Sequence, residues 1–186
     1  MEPKSQKYLL ALARQTIVDY FEAGEKIKID EDNLPEKTLS KKRATFVTLT
    51  KNGQLRGCVG SLLPKKKLYE DVINNSLMAA FGDNRFPAVE KHEIADIKIE
   101  ISILSLTKPY HHESLNDLFD KIIPHEHGIV LQKDYFQATF LPQVWEDIPD
   151  KEQFLSALSQ KAGLAADAWR DQDCEIFYYT VEKFSE

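Results

Sequence analysis

Residues 44 to 60 read Ala44-Thr-Phe-Val-Thr-Leu-Thr-Lys-Asn-Gly-Gln-Leu-Arg-Gly-Cys-Val-Gly60. Two runs rich in β-branched and apolar residues, Ala44 to Thr50 and Leu55 to Gly60, flank Lys51-Asn-Gly-Gln54. Asn52-Gly53 is the preferred pair for a two-residue type I′ turn, because both positions need positive φ. The stretch therefore predicts a β-hairpin, and the rest of the chain is read outward from it.

Residues 5 to 22 repeat Leu9, Leu12, Ala13, Ile17, Tyr20 and Phe21 at helical spacing, with Ala23-Gly24 as a stop. Residues 24 to 43 are polar, charged and interrupted by Pro35, so they read as a long connection. Lys67 to Phe81 returns to helical spacing, with Leu68, Val72, Leu77, Ala80 and Phe81 on one face and Gly82 at its end. Ile97, Ile99, Ile101 and Ile103 alternate with Lys98, Glu100 and Ser102, the period of a strand with one buried face. Ser114 is placed to cap a short helix holding Leu115, Leu118 and Phe119. Gly128 to Gln132 and Tyr135 to Phe140 make a second hairpin. Asp150-Lys-Glu-Gln153 resembles a capping box and opens a helix to Lys161 or Ala162, before Gly163. Cys174 to Val181 reads as one final alternating aromatic strand.

Strands thus arrive as hairpins between helices of varied length, without βαβ repetition or a glycine-rich phosphate loop. The expected fold is α+β, a mainly antiparallel sheet with flanking helices. Residues 1 to 186 read as a single domain with room for a small second lobe, and no linker divides them into two full domains.

The longest unbroken apolar run is Tyr8 to Ala13, far short of the roughly 20 residues a membrane span needs. The chain begins Met-Glu-Pro-Lys-Ser-Gln-Lys, without an apolar segment or small-residue cleavage site, so no secretory signal is expected. Two cysteines, Cys58 and Cys174, make neither a disulfide framework nor a zinc pattern. These features point to the cytoplasm and away from membranes. The net charge of −6 argues against nucleic acid as a partner, because phosphate binding usually demands a positive excess.

Within the hairpin, strand alternation places Arg56, Cys58 and Gly60 on one face. Pairing about Asn52-Gly53 sets Cys58 opposite Val47 and Arg56 opposite Leu49. A guanidinium beside the thiol favours thiolate, and Gly57 and Gly60 leave room for close approach. These are conditions for a nucleophile. The same residues also carry a structural reading. Cysteine is often a small buried filler, strand glycines mark bulges, and Arg56 can pair with a carboxylate such as Glu100. No local histidine stands ready as a base.

Lys41-Lys42-Arg43 and Lys65-Lys66-Lys67 both fall toward the open end of this hairpin, where they read first as solvated side chains and second as a patch near Cys58 for a small anionic ligand. His111-His112 and His125-Glu126-His127 are too loosely spaced for a ligand set, and neither metal nor cofactor is expected.

Leu55-Arg-Gly-Cys-Val-Gly60, Asp83-Asn-Arg-Phe-Pro87, His127-Gly-Ile129, Leu141-Pro-Gln-Val144 and Lys161-Ala-Gly-Leu164 occur in that order. Together they resemble the AMMECR domain family, also called AmmeMemoRadiSam system protein A, over residues 5 to 183. The resemblance implies an α+β fold with a larger and a smaller lobe and a cleft at the Arg-Gly-Cys run. It also implies association with a Memo-type protein and a radical S-adenosylmethionine enzyme. Carried over by position, it singles out Arg56, Gly57, Cys58, Gly60, Arg85, Phe86, Pro87, His127, Pro142 and Gln143. Ala88 replaces a second proline, and Ser159 replaces a cysteine found in many members, so no two-thiol chemistry transfers. Two functional expectations follow. One is an accessory component that binds a ligand or partner at this cleft. The other is an enzyme using Cys58 as nucleophile or redox thiol, polarised by Arg56.

Overall fold

The computed structural model describes residues 1 to 112 and 114 to 186. Its first helix, α1 (Pro3–Ala23), starts with proline, whose missing N–H has no helical acceptor in the first turn anyway. Gly24, at φ 69°, closes it by donating its N–H to Tyr20 O. Next come β1 (Thr45–Lys51), β2 (Gln54–Gly60), α2 (Leu68–Leu77) and β3 (Ile97–Leu104). Then follow β4 (Lys108–Pro109), α3 (Leu115–Lys121), β5 (Gly128–Lys133), β6 (Phe136–Phe140), α4 (Lys151–Lys161), β7 (Glu175–Tyr179) and β8 (Val181–Ser185). The fold is α+β with antiparallel hairpins, as the sequence predicts.

The chain divides into two compact units, Met1–Leu104 with Glu182–Glu186, and Ser105–Val181. In the first, the sheet order is β2-β1-β3-β8. Asn52 and Gly53 take φ of 52° and 77°, the turn the sequence predicts. Val47, Leu49, Ile99 and Ile101 are buried on one face, in a core with Leu9, Leu12, Ala13 and Ile17 of α1 and Leu68 and Val72 of α2. Each such side chain removed from water contributes about 2 kcal/mol, which holds the helices on that face.

The second helix does not run regularly to Phe81. It is α-helical to Leu77 and continues as a π-helical turn, Met78–Gly82, a geometry often found beside functional sites.

In the second unit the order is β4-β7-β5-β6. Its core collects Leu118, Ile129, Leu131, Trp145, Phe154, Leu158, Trp169 and Ile176. Ser114 and Asp150 cap α3 and α4 by accepting the N–H of Asp117 and Gln153. The expected strand Cys174 to Val181 is corrected: it is two strands, one in each sheet. Ser105 stops the first by donating its N–H to Thr180 O and accepting Thr180 N–H on its hydroxyl. β8 then lies beside β3, where Glu186 N–H reaches Ile99 O. Among the described residues, no helix is long and apolar enough to cross a membrane.

Candidate functional site

The hairpin opens in the register a two-residue turn demands, with Lys51 opposite Gln54 and Thr50 opposite Leu55. It then shifts by one, so that Leu49 faces Gly57, Thr48 faces Cys58 and Val47 faces Val59. Arg56 is the extra residue of a β-bulge, and the expected pairing of Cys58 with Val47 and Arg56 with Leu49 is corrected accordingly. Val47 and Leu49 are fully buried, so Thr48 between them points to the opposite face. Cys58 points there too, its Sγ 3.2 Å from Thr48 Oγ1.

The bulge aims Arg56 at Glu93 instead. Its Nε and Nη2 donate to Glu93 Oε1 and Oε2 at 3.2 and 2.9 Å, while Nη1 and Nη2 donate to Pro87 O and Ala88 O at 2.7 and 3.1 Å. The two side chains are only 13% and 10% exposed. Glu93 also accepts Lys51 Nζ and Glu90 N–H. The Arg56 guanidinium first, and the Glu90 N–H next, hold the Glu93 carboxyl well below the usual carboxylate range against the opposing effect of burial. The sequence suggested Glu100 as the partner of Arg56. Glu100 pairs with Lys183 at 3.0 Å.

The guanidinium hydrogen-bonded at Cys58 belongs to Arg85. Its Nη2 donates to Cys58 O at 3.0 Å and to Asp83 Oδ2 at 2.7 Å, and its Nε donates to Asp83 Oδ1 at 2.9 Å. Asp83 Oδ2 also accepts Cys58 N–H at 2.9 Å. β2 is an edge strand, and this carboxylate takes the place of a neighbouring strand along it. Asp83 forms a turn with its own motif, accepting Arg85 N–H on Oδ1 and Phe86 N–H on its carbonyl. Arg85 chiefly, then Cys58 N–H, holds the buried Asp83 carboxyl far below its ordinary value. The two motifs thus clamp each other: Arg56 of the first reaches carbonyls after Phe86, and Arg85 of the second reaches the carbonyl of Cys58. Phe86 lies half-buried, with the Arg85 guanidinium 5.6 Å from its ring centre.

The two glycines are positions of close packing. A Cβ on Gly57 would stand 2.1 Å from Ala79 O of the π-helical turn, and one on Gly60 would stand 2.2 Å from the Phe46 ring. On the side where a Cβ would project, protein atoms already fill the space at both glycines.

His127, Pro142 and Gln143 belong to the second unit. His127 is buried, and its Nδ1 accepts Ile123 N–H at 3.1 Å and the Tyr110 hydroxyl at 2.5 Å, which places the ring proton on Nε2. Burial lowers its pKa. Pro142 opens the 3-10 turn Pro142–Glu146, which seats Trp145 flat on Phe154 at 3.5 Å, and Gln143 is exposed. Ser159 is buried and donates to Leu155 O. Among the described residues, no three His, Cys, Asp or Glu side chains are grouped to hold a metal.

Sequence reasoning missed Asp83, Glu93 and Thr48. Asp83 stands inside a quoted motif, two residues before the arginine it holds. Glu93 had no local signal.

The half-buried Cys58 and the buried Cys174 differ in access. Burial pushes the Cys174 thiol up to about 11, and the thiolate is the reacting form. Iodoacetamide near neutral pH is expected to label Cys58 in the native protein and Cys174 only after unfolding, as read by peptide mass spectrometry. Equal native protection of both would reduce Cys58 to packing.

The AMMECR1 family profile matches residues 10 to 184. The chain is 38% identical to Protein MK0488 of Methanopyrus kandleri, over 97% of this chain and 87% of that one. It is 35% identical to Protein PF1979 of Pyrococcus furiosus, over 97% of this chain and 87% of that one. The crystal structure of the uncharacterized protein PH0010 from Pyrococcus horikoshii superposes with a TM-score of 0.84 at 30% identity, covering 100% of this chain and 93% of that one.

Proposed function

This chain belongs to the AMMECR1 family, and we propose that it is an accessory component that binds an anionic group, of a small ligand or of a partner protein, at Arg85 beside Cys58. In this reading it works in the cytoplasm with a Memo-type protein and a radical S-adenosylmethionine enzyme. One observation carries the site: the Arg85 side chain is 54% exposed while Asp83 fixes its orientation. A guanidinium held in place but open on one side suits a carboxylate or phosphate, because the orienting entropy is already spent. Arg56 has no such open side.

The test is co-purification of the tagged chain with the Memo-type protein and the radical enzyme of the same organism. Complex formation should survive Cys58→Ser. Arg85→Ala should weaken it at least ~10-fold, about 1.4 kcal/mol. A complex indifferent to Arg85→Ala, or none with the unaltered chain, overturns the reading.

A second reading, an enzyme with Cys58 as nucleophile or redox thiol, gains from one observation. Arg85, in place of Arg56, is the guanidinium at this residue, its Nη2 donating to Cys58 O at 3.0 Å. It requires Cys58→Ser to abolish a turnover while leaving the complex intact.

A further inference from the structure

The two lysine-rich runs, 22 residues or more apart in the chain, meet in the structure. Lys42 and Lys67 form an antiparallel bridge, and Leu68 N–H donates to Lys41 O at 2.9 Å. Arg43 N–H donates to Lys66 O at 3.2 Å, and Ser61 N–H donates to Thr45 O at 2.9 Å. These last two bonds pinch off residues 62 to 65 as a short loop closed at its base, with Lys65 N–H bonded to Leu63 O inside it. Leu62 and Leu63 on this loop are each 47% exposed and stand outside the core of their unit.

Charge around the loop is uneven. Lys67 pairs with Glu31, and Lys41 feels Glu36. Among the described residues, Lys42, Arg43, Lys65 and Lys66 have no carboxylate within ion-pair distance. Lys42, Lys65 and Lys66 are exposed and Arg43 is half-buried with Nη1 donating to Lys42 O, and backbone bonds bring these four cationic residues together on a chain whose net charge is −6. Two adjacent exposed leucines on a pinched loop, with Lys65 on the loop and Lys42, Arg43 and Lys66 at its base, are complementary to an apolar layer beneath a plane of anionic headgroups. A nucleic acid would use the cations but leave the leucines idle, and the aromatic stacking platform of a single-strand binder is missing from the loop.

We infer that the loop from Leu62 to Lys65 docks the protein on an anionic lipid surface, the leucines entering the acyl boundary and Lys42, Arg43, Lys65 and Lys66 contacting headgroups. The attachment is peripheral and reversible, since two side chains and a small basic patch fall well short of a spanning segment.

The test is co-sedimentation of the full chain with phosphatidylcholine vesicles containing about one-third phosphatidylserine, against pure phosphatidylcholine. Binding is expected to the anionic vesicles only and to weaken as salt is raised. Leu62→Ser with Leu63→Ser, and separately Lys65→Glu with Lys66→Glu, should each cut binding at least ~10-fold at unchanged melting temperature, the sites being exposed. Any of these results overturns the inference: no binding to anionic vesicles, equal binding to neutral ones, or binding that either the leucine pair or the lysine pair does not affect. The same variants are run against a single-stranded RNA oligomer. RNA binding that exceeds vesicle binding and ignores the leucines also overturns it.

Discussion

Arg56→Ala is expected to lower the unfolding free energy by about 3 kcal/mol, the lower end of the cost of stranding one member of a buried ion pair. The low end applies because Glu93 keeps Lys51 and the Glu90 N–H after the guanidinium is gone. The loss exceeds that of an exposed pair for two reasons. Both side chains are nearly buried, and the same guanidinium ties down Pro87 O and Ala88 O. Arg56→Lys should fall between, since an ammonium cannot span both carboxylate oxygens and two carbonyls. Urea unfolding near neutral pH measures the effect. A loss under about 1 kcal/mol would mean that the pair behaves like a surface salt bridge.

The same pair gives the stability an acid limb. The folded pKa of Glu93 lies below its unfolded value of about 4.3, so the unfolded chain takes up the proton first. The contribution is complete above roughly pH 5 and drains as pH falls through and below the unfolded value. Asp83, lowered by Arg85 and Cys58 N–H, adds to the same limb. The gap between the unaltered protein and Arg56→Ala should therefore narrow between pH 7 and pH 3, because Glu93 in the variant, left with Lys51 and the Glu90 N–H, resists protonation less. A gap that widens on acidification contradicts this assignment.

Gly57→Ala should destabilise by about 3 kcal/mol, the upper range for an overpacked site. The new methyl would meet Ala79 O at 2.1 Å and Ala79 C at 3.1 Å, both backbone atoms that cannot rotate away. Strand β2 and the π-helical turn must then separate. Asp83 follows that turn directly, so its bond to Cys58 N–H loosens with it. Thermal unfolding measures the cost, and iodoacetamide labelling of Cys58 should quicken in the variant. Gly60→Ala supplies the contrast. Its methyl meets the Phe46 ring first and Thr45 O at 2.6 Å second, so Phe46→Ala should restore only part of the loss. Gly57→Ala at full stability would show that the approach of the two backbones is softer than the geometry states.

These two positions mark where sequence reasoning stopped. The hairpin is legible because Asn52-Gly53 demands positive φ at both residues, a requirement met within four residues. β3 is legible because Ile97, Ile99, Ile101 and Ile103 repeat at the strand period. The caps at Ser114 and Asp150 are equally local. The motifs from Leu55 to Leu164 are specific enough to name the family without coordinates.

What the tertiary structure alone decided is register and partnership. Gly57 hints at a bulge in β2, but not that Arg56 is the extra residue, nor that the bulge turns this arginine from Cys58 toward Glu93, 37 residues away. The cation at Cys58 is Arg85 because the loop after α2 docks on the edge of β2, and that docking depends on Gly57 meeting Ala79. The strand after Cys174 breaks at Thr180, where Ser105, 75 residues earlier, binds both the N–H and the carbonyl of that residue. Periodicity and turn chemistry act between neighbours and can be read along the chain. Which carboxylate meets which guanidinium, and where a strand changes sheets, are settled by packing among residues that the sequence holds far apart.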